Sequence, residues 1–187
     1  MKKFLKRDLS DNVPQDIQNH SYLEELHLKG TFSFLGLDFF QFKNLKTLTI
    51  NSSEIEVFPL ECLKAPLLKN LKIIGGSFST LKLPLEILSP LESLTIKNTK
   101  LSELPLELAQ FENLKEMNLS GNLLKNLPVT LKELRKLTRL NIDHNQFEVL
   151  PDVIKECASL RHVSCDGNPF SEEEKFRIQK EFNLYPH

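Results

Sequence analysis

The stretch Leu114-Lys-Glu-Met-Asn-Leu-Ser-Gly-Asn-Leu-Leu-Lys-Asn-Leu-Pro128, followed by Leu131 and Leu134, decides the architecture. Its opening leucine belongs to a series at positions 45, 68, 91, 114, 137 and 160, each 23 residues after the last. A fixed period of this length marks a solenoid, in which each unit buries its apolar face against its neighbours. An earlier unit opens at Leu23 and is 22 residues long. The units opening at Leu23, Leu45, Leu68, Leu91, Leu114, Leu137 and Leu160 are called repeats one to seven. A solenoid presents a long open surface rather than a closed pocket, which favours binding over catalysis.

Counting each opening leucine as zero, offsets 3 and 5 are apolar throughout, from Leu26 and Leu28 to Val163 and Cys165. Their neighbours are mostly polar, the period-two alternation of a strand with one buried face. Seven strands in phase predict one parallel sheet, roughly 30 Å across at about 4.8 Å per strand. Offset 8 is Asn122, Asn145 and Asn168 in repeats five to seven. A buried asparagine there can satisfy backbone groups of its own turn and of the adjacent rung. Thr31, Ser53 and Thr99 can do part of that work and Gly76 none, so the earlier repeats are expected to have a less regular ladder. Gly30, Gly75, Gly121 and Gly167 precede this position and suit a turn with positive φ.

The return half of each unit carries Phe58-Pro59-Leu60-Glu61, Leu83-Pro84-Leu85-Glu86 and Leu104-Pro105-Leu106-Glu107. Proline suits the first position of a short helical turn, and a nearby glutamate favours its positive end. Apolar residues at offsets 17 and 20, such as Leu131/Leu134 and Ile154/Cys157, should pin the turn to the core. In repeat three Pro84 arrives two residues late, which predicts a distorted convex side.

The ends depart from the pattern, as terminal units must to cap an exposed core. Val13-Pro14 and Ile17 keep the spacing before Leu23, so residues 1–22 read as a degenerate half repeat and cap. Residues 23–166 hold the repeats and 167–187 a C-terminal cap. Within it, Ser171-Glu-Glu-Glu174 is a capping box opening a helix. Phe176 and Phe182, with Ile178 or Gln179 between, are expected to lay that helix over the last rung. No linker or low-complexity stretch interrupts the chain, so it is read as a single domain.

These residues resemble the leucine-rich repeat family, in its 23-residue class shared by bacterial and Ras-suppressor-like members. The likeness runs from about Leu23 to Phe170, and Gly167-Asn-Pro-Phe-Ser-Glu-Glu-Glu-Lys175 is similar to the C-terminal caps of short bacterial members. Repeat one departs, with no proline and a phenylalanine-rich middle. The resemblance implies an α/β solenoid: a right-handed horseshoe with a parallel concave sheet, short helical or irregular convex segments and a C-terminal capping helix. It also implies a non-enzymatic scaffold for protein–protein interaction.

Composition narrows the partners. With 24 Lys and Arg against 25 Asp and Glu, the net charge of -1 gives no electrostatic case for nucleic acid or an anionic membrane. Lys2, Lys3, Lys6 and Arg7 are separated only by Phe4 and Leu5, which do not make a signal peptide. No run is long enough for a transmembrane helix. The expected location is cytoplasmic, with non-classical or host-directed export as the other route. Cys62, Cys157 and Cys165 fall at apolar repeat positions and read as buried thiols without a disulfide or metal role.

On the outward strand positions, polar side chains of mixed charge form ladders. The C-terminal third, with Arg139, Asp143, Arg161, His162 and Asp166, is the first candidate for a protein partner, since arginine is favoured at interfaces. Lys72, Glu116, Asn118, Asn141 and Ser164 extend the same surface. The alternative reading is of solvated side chains only. Asp143 and Asp166 should adjoin on neighbouring rungs near His144, but an oxygen-ligand cation site needs more donors, so no metal and no cofactor is expected. His162 and Cys165 lie three apart on one strand and point to opposite faces, which excludes a nucleophilic pair. No P-loop, nucleophile elbow or zinc-protease motif occurs, so no catalytic residue is assigned and an enzyme is disfavoured.

Phe32, Phe34, Phe39, Phe40 and Phe42 crowd repeat one. They read either as a local core or as an exposed patch for a partner or a homodimer, with Phe34 and Phe40 deciding between the two. The functional expectation is a scaffold binding a protein on its concave face, as a monomer or weak homo-oligomer. A secreted or surface-exposed adhesin- or effector-like module contacting host molecules is the alternative.

Overall fold

The computed structural model describes residues 4–11, 13–86 and 88–187, with backbone only at 4–7, 10, 11 and 18. Lys2 and Lys3 of the basic N-terminal run lie outside the described residues. Eight parallel strands form one open sheet in strict sequence order. They are β1 (Phe4–Asp11), β2 (Glu25–Phe32), β3 (Thr47–Ser52), β4 (Asn70–Ile74), β5 (Ser93–Lys97), β6 (Glu116–Asn118), β7 (Arg139–Asn141) and β8 (His162–Ser164). From β2 onward the register keeps the repeat phase, with Leu26, Leu48, Leu71, Leu94, Met117, Leu140 and Val163 on one line.

The sheet therefore has eight strands where the alternation predicts seven. The unpredicted strand is β1, which pairs residue for residue with β2 from Phe4↔Glu25 to Asp11↔Phe32. Its sequence hides it because Arg7 pairs with Leu28, at a position that is apolar in all seven repeats. A 3-10 turn at Gln15–Asn19 follows, so this N-terminal region supplies both a strand and a return turn.

The strands from β2 onward send alternate side chains into one continuous core, where Leu48, Ile50, Leu94, Ile96, Leu119 and Ile142 are buried. Convex 3-10 turns close the units at Phe39–Gln41, Leu60–Lys64, Leu106–Gln110 and Val129–Glu133, and the helix α1 does so at Val153–Glu156. Among the described residues repeat three shows no such element, because the late Pro84 cannot start a turn at the shared position. There Leu85 and Leu88, at the two pinning offsets, stand 82% and 101% exposed, whereas Leu131 and Leu134 in repeat five are buried.

The asparagine ladder forms in repeats five to seven. Asn122 Nδ2 donates to the carbonyls of Ile96 and Leu119, both at 2.8 Å, and its Oδ1 accepts from the Thr99 amide at 3.1 Å. Asn145 repeats this with Leu119, Ile142 and the Leu124 amide, and Asn168 with Ile142, Cys165 and the Phe147 amide. In repeat two the partial substitute is Ser52, one residue earlier than expected, whose hydroxyl donates to Phe32 O at 2.7 Å. Ser53 instead turns to Glu54. The turn before the ladder has positive φ at Gly75, Gly121 and Gly167, and equally at Asn98 and His144. A Cβ on Gly121 would strike the Asn98 side chain, and one on Gly167 the His144 ring, so the bulky and bare residues alternate between rungs.

The C-terminal cap is the helix α2 (Glu172–Phe182), whose Ser171 hydroxyl accepts from the Glu174 amide at 3.1 Å. Ile178 is fully buried and Phe182 partly so, but Phe176 is 67% exposed, against expectation. The inward stripe runs through positions 174, 178 and 182, which are one helical turn apart, and Phe176 falls off it. Its place is taken by Glu174, which accepts from the Leu150 amide at 2.8 Å. Arg177 then donates to both Glu174 oxygens at 2.7 Å and to Leu150 O at 2.7 Å. The Arg177 guanidinium holds Glu174 below the usual carboxylate range and is itself raised by Glu174. No helix among the described residues is long and apolar enough to cross a membrane.

Candidate functional site: the concave face of the C-terminal repeats

The register places Ser93, Glu116, Arg139 and His162 on one outward line, and Thr95, Asn118, Asn141 and Ser164 on the next. The strands are short there for a local reason. Asn118 Oδ1 accepts from the Ser120 amide and Asn141 Oδ1 from the Asp143 amide, each at 3.0 Å. A side chain that captures the amide two residues ahead turns the backbone out of the ladder. β5 has Thr95 at this position and continues to Lys97. Ser120 therefore lies in the turn, although its sequence position continues the outward alternation of the strand, and is only 4% exposed.

An open depression of about 330 Å³ lies over these rungs. Its lining includes six residues expected from the sequence, Glu116, Asn118, Arg139, Asn141, His162 and Ser164, together with Ser93 and Thr95. The last two stand on the predicted ladders, and their in-register positions were the signal that would have added them. Arg139 Nη1 meets Glu116 Oε1 at 2.6 Å, and both side chains remain about half exposed or more. Asn141 is engaged at both ends, since its Nδ2 also donates to Asp143 Oδ2 at 2.8 Å.

The other expected residues lie elsewhere. Lys72 is exposed on β4, paired in register with Thr95, one rung outside the depression. Asp143 holds the ladder together, its Oδ1 accepting from the Ser164 hydroxyl at 2.6 Å and the Asp166 amide at 2.8 Å. Asp166 Oδ1 accepts from the His187 amide at 2.7 Å, tying the chain end to the last rung. Arg161 turns away, donating to the carbonyls of Ala158 and Leu160 beside the cap. Among the described residues, no group of three or more His, Cys, Asp and Glu side chains could hold a metal ion.

His162 is exposed while Cys165 is 3% exposed, on opposite faces as their spacing dictates. Burial pushes the Cys165 thiol up to about 12, with Asp166 and Asp143 adding to the shift. Burial also raises Cys62 and Cys157, so all three sulfurs remain protonated thiols packed in the core. The phenylalanines of repeat one divide. Phe32, Phe39 and Phe42 are fully buried, whereas Phe34 and Phe40 are 71% and 56% exposed. The Lys43 ammonium sits 3.3 Å above the Phe40 ring.

A line of ion pairs that the strand ladders did not anticipate runs just before the strands, at offset 1. Lys46 meets Glu24 at 2.9 Å, and Glu92 bridges Lys69 at 2.7 Å and Lys115 at 2.6 Å. Hydrogen bonds from Lys115 and Lys69 lower the Glu92 carboxyl to about 2.

A family model described as "Leucine rich repeat" matches residues 89–147. None of the curated proteins matches the chain. Among solved structures, a leucine-rich repeat protein of Leptospira interrogans aligns with TM-score 0.63 and 22% identity, over 94% of this chain and 57% of that one. An internalin from Listeria monocytogenes aligns with TM-score 0.71 and 20% identity, over 95% of this chain and 50% of that one. A plant peptide hormone receptor, solved in complex with RGF2, gives TM-score 0.69 and 26% identity over 88% of this chain and 28% of that one. The chain thus spans little more than half the length of the first of these structures, and less of the others.

Proposed function

The chain is a leucine-rich repeat protein, and from that premise we propose that it is a non-enzymatic scaffold that receives a partner protein on the C-terminal half of its concave face. The observation that carries this reading is the open depression across β5 to β8, whose rim offers the Arg139–Glu116 pair, His162 and a row of hydroxyl and amide groups. Its volume of about 330 Å³ suits one or two side chains of a protein rather than an enclosed small molecule. Rigid rungs beneath it hold those groups in fixed register, which lowers the ordering cost of binding. The plant receptor solved with RGF2 has a similar fold and supports the partner class without naming a partner.

Arg139 and His162 are the residues to test, because neither holds the ladder together. Asn141 is a poor choice, since its loss would also free Asp143. Replacing Arg139→Glu and His162→Glu together should weaken capture of the partner by about tenfold or more, with the thermal unfolding midpoint unchanged. Capture equal to wild type by a folded double variant would rule this surface out.

A further inference from the structure

A second surface lies between repeats one and two, away from the concave face. Phe34 and Val57 are 71% and 74% exposed and line the same groove, of about 390 Å³. Single exposed apolar residues are ordinary on a protein surface, but here two large ones share one concavity. Beneath them lie Ile55 and Phe58, both buried, and Phe58 is fixed edge-on against Phe78 at 6.0 Å. The groove is therefore a firm apolar bed with two unpartnered apolar walls.

Its charge is one-sided. Glu56 and Glu61 line the groove and no lysine, arginine or histidine does. Among the described residues, neither carboxylate enters an ion pair or a side-chain hydrogen bond. Elsewhere several charges between repeats are matched, as in Lys46–Glu24, Lys69–Glu92–Lys115, Arg139–Glu116 and Lys132–Glu156. Two free carboxylates beside exposed Phe34 and Val57 complement a ligand that is apolar and cationic together.

We propose that this groove docks a segment of a partner protein in which an aliphatic or aromatic side chain stands next to a lysine or arginine. The apolar side chain fills the bed between Phe34 and Val57, and the cation reaches Glu56 or Glu61. The site is separate from the concave depression, so two partner segments can be held at once.

The probe is a short synthetic peptide of leucine and phenylalanine interspersed with lysine and arginine, with a second peptide carrying glutamate in place of the cations. Binding of each to the full chain is followed by fluorescence anisotropy at low and high salt. The cationic peptide should bind saturably and weaken as salt rises, and the acidic one should not bind. Phe34→Ser with Val57→Ser should cost about tenfold or more in affinity, and Glu56→Gln with Glu61→Gln several-fold and most of the salt dependence. Arg139→Glu should leave binding unchanged. Equal binding of both peptides, no saturable binding, or wild-type affinity in the Phe34/Val57 variant would overturn the proposal. So would loss of binding in Arg139→Glu, which would place the peptide on the concave face. Concentration-dependent dimerisation abolished by Phe34→Ser would assign the groove to a second copy of the chain and overturn it equally.

Discussion

Repeats five and three occupy the same consensus frame and meet its demands in opposite ways. In repeat five Pro128 starts the convex turn on time, Leu131 and Leu134 are buried, and Asn122 closes the turn after the strand. In repeat three Pro84 comes late, the described residues form no convex helical turn, Leu85 and Leu88 face solvent, and Gly76 offers no side chain to the ladder. The strand of repeat three pairs over five residues and that of repeat five over three, yet both keep one register through Leu71, Leu94 and Met117. The difference teaches that sheet register and convex packing are separable. The strand pattern alone keeps the solenoid continuous while one return segment is let go.

The largest test of this contrast sits at offset 17. Leu131→Ala should cost about 3 kcal/mol, as removal of a fully buried leucine does, while Leu85→Ala should cost less than about 0.5 kcal/mol. Urea denaturation of the pair measures both, and similar losses at the two sites would erase the distinction. Next comes the ladder itself. Asn145→Ala strands the buried Leu124 amide and two donor contacts, for about 2 kcal/mol, against about 1 kcal/mol for Ser52→Ala with its single bond to Phe32 O.

Repair of repeat three by consensus should fail. Gly76 has φ 99°, and a Cβ there would stand 2.7 Å from Ile55 O. Gly76→Asn should therefore destabilise, by on the order of 1 kcal/mol, despite matching the sister repeats. A rise in the unfolding midpoint would show that the turn can rebuild itself around an asparagine.

The smallest effect is electrostatic. Glu92, Glu174, Asp152 and Glu181 all have carboxyls lowered by their lysine or arginine partners. A group whose folded value is depressed contributes stability above its ordinary value, and that contribution is lost as pH falls through the folded one. For Glu92 the window runs from 4.5 down to about 2. The thermal midpoint should fall across this range, and Glu174→Gln with Glu92→Gln should flatten the slope. An unchanged slope in that double variant would assign acid sensitivity to other groups.

Much of this was legible in the sequence, for reasons visible residue by residue. A period of 23 and alternation at offsets 3 and 5 dictate the sheet, and a late Pro84 announces the open convex segment. The strand β1 escaped because Arg7 breaks the alternation, while its pairing depends on the whole edge of β2. Phe176 was misplaced because two phenylalanines outweighed the helical spacing that selects Glu174, Ile178 and Phe182. At the candidate site, outward position could be read from spacing, but which polar groups were already spoken for could not. Asp143 became an acceptor through contacts between rungs that no single repeat contains, Asp166 accepted from the distant His187 amide, and Arg161 bonded back to its own turn.

The most direct measurement on the concave surface is site-specific photo-crosslinking in the full chain. A photoreactive residue is placed at position 139 or 162 on the concave face and, as controls, at 106 on the convex side and 34 in the groove. A partner held by the depression predicts one crosslinked species from positions 139 and 162, competed away by unlabelled wild-type chain and missing from position 106. The same species from position 106, or none from 139 and 162 while 34 yields one, would contradict the concave assignment.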